Sequence, residues 1–370
     1  MFQKRRGRLL TFALILLGVV ALISACSSSS SDSSAPSGQN GNGQATDETQ
    51  SSAQAEPIEL TYATYISSSH YQAALDKELF KRIEEQTNGR VKVDQYYDGT
   101  LVEPTEWYQE LLRGTADIIQ GPVGSERERF SLDYAVAFFN YGITDLKALL
   151  DFTRELWESS PSMQEQYKEV VPLTRISAGT VWVHTVDKPI RSLEDFKGLN
   201  LKVADDASTE LAKALGANPV RLPISETYAA LEKGTIDGVI TGADPLKTFK
   251  LAEVVKYSTE LPYISPWIYS KIMNKEVYEQ LPADIQQVIM DNARWYEEQL
   301  VEGLKKEIDE GLALTKEKGN EVITLSPEET EKLLSLLEDI AKKVAADLDS
   351  KGLEGTQLFE KARQLAEKYQ

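Results

Sequence analysis

The 370-residue chain has one cysteine and two histidines. A single thiol, Cys26, excludes any disulfide within the chain. His70 and His184 leave little material for acid–base or nucleophilic catalysis. No nucleophile elbow occurs, and no group of residues has metal-ligand spacing. Positive charge is also scarce: 40 Lys and Arg stand against 58 Asp and Glu, a net charge of −18. That balance argues against nucleic acid as a partner, and it repels anionic membrane surfaces. Between Pro57 and Gln370 no stretch is apolar enough to cross a bilayer. These absences disfavour an enzyme, a nucleic-acid binder and an integral membrane protein, and they call for neither metal nor cofactor. What remains is an ordinary globular composition, 41% hydrophobic and 26% charged, at a length that admits two domains.

The one long apolar run is at the amino terminus. Lys4, Arg5, Arg6 and Arg8 precede Leu9–Ile23, a run of 15 residues that suits a signal peptide and is short for a membrane span. Ile23-Ser24-Ala25-Cys26 follows and resembles the bacterial lipobox, which implies cleavage after residue 25 and lipidation of Cys26. Membrane attachment, which the net charge denies to the body, would then come from lipid. Residues 27–56 are mostly Ser, Gly, Asn, Gln, Thr and Ala, which cannot bury a core. They read as a flexible tether with a mean span of roughly 30 Å.

The body is organised around a repeated unit. Ser225–Gly242 reads SETYAALEKGTIDGVITG: Ser225 as N-cap, a short helix, Gly234 as helix stop, then a strand ending at Thr241-Gly242. Thr105–Gly121, 120 residues earlier, reads TEWYQELLRGTADIIQG. Glu106, Tyr108, Leu111, Gly114, Thr115 and Asp117 match Glu226, Tyr228, Leu231, Gly234, Thr235 and Asp237 without a gap. The repeat predicts two similar α/β lobes. Asp117 and Asp237 are expected to be structural, and Thr241, at a strand's carboxyl end, is placed where open α/β sheets bind ligands.

Patterning fills in the rest. Strands are expected over 58–63 and 90–97, with a helix over 71–87 between them. The order β-α-β-α-β favours a parallel sheet. A further helix is expected over 146–159. In the second lobe, Thr180–Val186 alternates and puts Trp182 and His184 on one face, with Val181, Val183 and Thr185 on the other. Leu199–Val203 places Lys202 opposite Leu199, Leu201 and Val203. Ser192–Asp195 and Ser326–Glu329 read as capping boxes. Residues 282–318 form a long helical pattern whose apolar stripe steps by four from Tyr296 to Leu312. Each step overshoots a full turn by about 40°, so the stripe drifts around the helix. Two readings fit: one helix packing first on one lobe and then on the other, or a helix broken near Gly303 or Gly311.

PIRSLEDFKGLNLKV (189–203), LGANPV (215–220) and SETYAALEKGTIDG (225–238), with TNGRVKV (87–93) and LPADIQQVI (281–289), together resemble the extracytoplasmic solute receptors of tripartite ATP-independent periplasmic (TRAP) transporters, of the dicarboxylate-receptor (DctP) type. The resemblance covers about residues 57–310. It implies an α/β, two-lobed, type II-like periplasmic-binding-protein fold with the ligand cleft between lobes and a long helix spanning both. It further implies lobe I at 57–179 plus about 267–306, and lobe II at 180–266 plus about 307–370. The implied function is capture of a small organic acid outside the cell, with no enzymatic activity and no cofactor. Delivery would be to a small and a large membrane subunit. A receptor for an ATP-driven importer and a ligand-sensing lipoprotein are the alternatives.

The position of Lys202 is one where the resemblance implies a carboxylate-gripping arginine. The lysine keeps the charge and gives up the bidentate fork. Trp182 stands where acidic-sugar receptors often carry arginine, and Thr241 where a polar amide is common. Lys202, Trp182, Thr241 and His184 are therefore the candidate ligand residues of the second lobe. Tyr65, His70 and Trp267 are candidates from loop placement. Arg221 reads as an exposed loop residue.

Overall fold

The computed structural model describes residues 56–370 except 104, 137, 140–141, 178 and 266–268. The leader, Cys26 and almost all of the tether lie outside the described residues, as does Trp267. Among the described residues, no helix is long and apolar enough to cross a membrane.

The first half opens with β1 (Ile58–Thr64), α1 (Tyr71–Gln86), β2 (Val91–Tyr96), α2 (Trp107–Arg113) and β3 (Ile118–Pro122). Then come α3 (Ser131–Val136), α4 (Leu146–Glu158), α5 (Pro161–Glu165) and β4 (Val170–Ile176). The second half follows with β5 (Gly179–Thr185), β6 (Asn200–Val203), α6 (Asp206–Ala214), β7 (Asn218–Arg221), α7 (Ile224–Glu232), β8 (Gly238–Thr241), α8 (Pro245–Thr248) and β9 (Tyr257–Ser265). The chain returns through β10 (Tyr269–Asn274) and α9 (Lys275–Gln280), then closes with α10 (Ala283–Glu317), β11 (Glu321–Thr324), α11 (Pro327–Ser350) and α12 (Gly355–Ala366).

The repeat is real in three dimensions. α2 stops at Gly114 with φ of 78°, and Gly234 takes φ of 66° just past α7. The left-handed conformation at both ends suits glycine alone among common residues. Asp117 accepts from Thr61 N at 2.8 Å, while its own N–H donates to Thr61 O at 2.9 Å. Asp237 does the same with Asn200, at 2.7 and 2.8 Å. Each aspartate thus pins the start of one parallel strand to the next, so both are structural. Ser225 is not the N-cap. α7 begins at Ile224, and Pro223 holds the cap position with φ −60° and ψ 151°. The capping boxes at Ser192–Asp195 and Ser326 are formed as expected, Ser326 accepting from Glu329 N.

Two sheets result, ordered β2-β1-β3-β10-β4 and β7-β6-β8-β5-β9-β11. Each has three parallel strands joined by helices, then an antiparallel strand supplied from elsewhere in the chain: β10 beside β3, and β5 beside β8. The crossings β4 to β5 and β9 to β10 carry the chain between sheets. α10 is the third connection, 35 residues and about 52 Å long. It is unbroken. Its first half, Ile285 to Leu300, packs with α1 under the first sheet, and Ile308 and Leu312 pack under the second. The drifting stripe is therefore one helix serving two partners. A Cβ on Gly311 would stand 2.6 Å from Ala243 O, and one on Gly303 3.3 Å from Tyr71, so these glycines admit close neighbours and do not break the helix.

α12 packs with α11 on α3 and α4, through Phe359, Ala362, Phe139, Leu149 and Phe152. Residues 307–370 therefore do not belong with one sheet alone.

Candidate functional site

β6 and β8 run parallel, and their carboxyl ends lead into α6 and α8. Pairing across the second sheet gives a row of side chains on one face: Ser258, His184, Val239, Lys202, Val220. Glu260, Trp182 and Thr241 form the next row toward the carboxyl edge. The sequence alternation thus assigned the faces correctly. Burial separates the members.

His184 is 0% exposed and both its ring nitrogens are occupied, Nδ1 by Ser258 Oγ at 2.8 Å and Nε2 by Gly242 O at 2.9 Å. Burial lowers its pKa to about 4, which the Gly242 contact opposes only in part, so the ring is neutral. No nitrogen is left for a ligand, and the expectation of a ligand role is corrected: His184 ties the segment after β8 to β5. Trp182 stacks parallel to it at 6.2 Å, with its N–H donated to Thr180 Oγ1 at 3.1 Å. The indole is buried with Leu246, Ala243 and Val239, beneath Ile308 and Leu312 of α10. It belongs to the core, because α8 and α10 cover this part of the sheet.

Lys202 is different. It is 2% exposed, yet no described residue hydrogen-bonds or ion-pairs with its ammonium. Burial lowers its pKa to about 8, against a smaller opposing pull from Asp205. An unpaired buried cation carries a desolvation cost that a ligand anion would relieve. Thr241, half-buried at the end of β8, likewise makes no side-chain hydrogen bond among the described residues. Strand spacing and rise put the two Cα atoms roughly 8 Å apart on the same face.

The first sheet presents its own carboxyl edge. Tyr65 follows β1, half-buried. His70 caps α1, its Nδ1 accepting from Gln72 N at 3.3 Å and its ring against Tyr71 at 4.5 Å. Burial lowers the pKa of His70, and Glu307 and Asp76 partly oppose this. The two edges meet: Arg127, after β3, ion-pairs with Asp206 at the start of α6, and Arg221 binds the same carboxylate. Arg221 thus lies on a strand and in an ion pair, not free on a loop.

One polar cluster was not anticipated. Lys271 on β10 is 1% exposed and faces Asp76 of α1 at 2.8 Å. It also donates to Gln120 and, at 2.8 Å, to Tyr296 of α10, while Tyr62 donates to Asp76 at 2.9 Å. Burial lowers the lysine pKa, and Asp76 opposes that shift. Each charge has its partner, so the cluster binds α1 and α10 to the sheet and offers nothing outward. Among the described residues, no group of His, Cys, Asp and Glu is placed to hold a metal ion.

Residues 62–347 match the family model of the bacterial extracellular solute-binding proteins, family 7 (DctP). The chain belongs to this family. The C4-dicarboxylate-binding periplasmic protein DctP of Rhodobacter capsulatus is 26% identical over 242 residues, 63% of this chain and 70% of that one. A solute-binding protein of Albidiferax ferrireducens is 24% identical over 272 residues, 71% of this chain and 77% of the relative. Among solved structures, a TRAP periplasmic solute-binding protein of Desulfovibrio salexigens superposes with a TM-score of 0.76 at 24% identity, covering 85% of this chain and 97% of that one. A TRAP solute-binding protein of Rhodoferax ferrireducens, in complex with benzoate, gives 0.73 at 22% identity, covering 84% and 98%. The DctP-family receptor is thus a two-lobed TRAP solute-binding protein, a binding receptor and not an enzyme.

Proposed function

We propose that this DctP-family receptor captures a small organic acid at the carboxyl edge of its second sheet and delivers it to TRAP membrane subunits. One observation carries the reading: the Lys202 ammonium, buried and without a partner beside the open hydroxyl of Thr241. A lysine there neutralises a carboxylate without fixing its plane, which favours a ligand oriented by its shape. The C4-dicarboxylate receptor of Rhodobacter and the benzoate-bound Rhodoferax protein make carboxylates the first class to test. Tyr65, His70 and Trp267 remain proposed contacts from the first half. Capture would work by closure, residues 57–179 with about 267–306 moving against 180–266 with about 307–370, and α12 bound to the first group by its packing. As water leaves, the contact to Lys202 strengthens.

Mass spectrometry of small molecules released from denatured protein would name the ligand, and an organic anion is expected. Lys202→Ala should weaken its binding tenfold or more in a calorimetric titration. Unchanged affinity with an intact fold removes Lys202 from the site. The reading also includes export by residues 1–25 and attachment to the outer face of the membrane through a lipidated Cys26, with residues 27–56 as tether. Metabolic labelling with a radioactive fatty acid tests this, since Cys26→Ser should abolish incorporation.

A further inference from the structure

Tyr134 lies on α3, its ring edge-on to Phe138 at 5.6 Å. The ring packs against a cluster that includes Ala207, in the first turn of α6. It therefore crosses from a helix that precedes β4 to the segment that follows Lys202. Its hydroxyl oxygen is shut off from solvent and has no hydrogen-bond partner. A buried hydroxyl left unpaired costs about 1–3 kcal/mol, and folded proteins keep few of them.

The surroundings explain why no protein group serves it. Asp206 is held by Arg127 and Arg221. Asp205 caps α6, accepting from Ser208 N at 2.6 Å. Burial and then the charge of Asp205 raise the phenol pKa to about 12, so the group is a donor at any physiological pH. Asp205 is also the one charge that acts on Lys202. A protonated hydroxyl and a buried ammonium, both unpartnered, thus bracket the same short turn, Val203 to Asp205. One comes from each half of the molecule.

We infer that the Tyr134 hydroxyl is a specificity-determining donor from the first half, meeting the same ligand carboxylate that Lys202 holds from the second. This rests on the carboxylate reading of the site. A carboxylate has two oxygens, enough to satisfy both donors, and a ligand bound to both ties the halves together. An uncharged or cationic solute leaves both unsatisfied.

Tyr134→Phe keeps the ring and removes only the unpartnered oxygen. The thermal midpoint of the unliganded variant should therefore equal or exceed that of the parent. Benzoate, 3-hydroxybenzoate and malate serve as probes, screened by thermal shift on the parent chain and then titrated calorimetrically. The variant should bind the active probe about 5- to 20-fold more weakly. Binding within twofold of the parent overturns the inference and leaves the carboxylate reading standing. A clear fall in the unliganded midpoint also overturns it, by showing that the hydroxyl serves the fold. Failure of all three probes to stabilise the parent overturns the carboxylate reading, and this inference with it.

Discussion

In the first sheet, the face formed by Tyr62, Gln120 and Lys271 packs on α1 and α10 and is polar. The matching positions of the second sheet are Leu201, Ile240 and Val183, an aliphatic face packed on α6. On the opposite faces the polarity is exchanged. Ala63, Ile119 and Ile272 pack on α2 in the first sheet, where the second has Lys202, Val239 and His184. One strand plan therefore carries two buried lysines, on opposite faces and at nearly equal depth. Lys271 has a carboxylate, an amide and a phenol; Lys202 has no partner among the described residues. Partnering, more than burial, distinguishes a lysine that holds a fold from one placed to hold a ligand.

That contrast breaks most visibly under substitution. Lys271→Met leaves Asp76 buried without its counter-charge and should cost about 3–5 kcal/mol in urea unfolding. Lys202→Met in the unliganded protein should cost nothing or stabilise, since no bond is lost and an unpaired charge is removed. Equal losses from the two variants would end the comparison. The repeat itself is probed next. Asp117→Ala and Asp237→Ala each remove one charge-assisted bond to a backbone N–H and should each cost about 1.5–3 kcal/mol. A neutral result for one of them would show that the two halves are not built alike.

The smallest effect is in pH. The folded Lys202 releases its proton near pH 8, whereas an unfolded lysine holds it to about 10.5. Between these values the unfolded chain binds more protons, so this group makes unliganded stability rise with pH. Affinity for a carboxylate should move the other way, falling above pH 8 by at most about tenfold per pH unit. Parallel calorimetry and unfolding from pH 7 to 10 would detect the opposed slopes. Slopes of the same sign would remove the buried ammonium from the explanation.

Much of this plan was legible in the chain. The repeated Gly-Thr and Asp positions predicted matched units, and the four-residue stripe predicted a helix that changes partners. Alternation placed Lys202, Trp182 and His184 on their correct faces. What alternation does not carry is which part of a face a later segment will cover. α8 and α10 close over Trp182 and His184, so two candidates became core. β4 was missed because Pro172 sits in its middle, which argues against a strand. It is tolerated because β4 is an edge strand and the pairing register shifts between Thr174 and Pro172. β10 was missed because Lys271 interrupts its apolar pattern, and Asp76, which answers that charge, lies almost 200 residues away. Tyr134 carries no sequence signal, since only packing isolates its hydroxyl.

The position of β10 between β3 and β4 bears on how the chain assembles. β4 is made by residue 176, but its only neighbour in the sheet is not complete until residue 274. In the interval the whole second sheet through β9 is synthesised, while the first keeps two strand edges open. Neither half can finish alone, because β5 leaves β4 directly and β10 returns from β9. Assembly must then be late, cooperative and dominated by contacts distant in sequence, which slows folding and leaves the newly made chain exposed to edge-to-edge aggregation. The crossings that let two lobes move as one receptor thus also make the molecule indivisible.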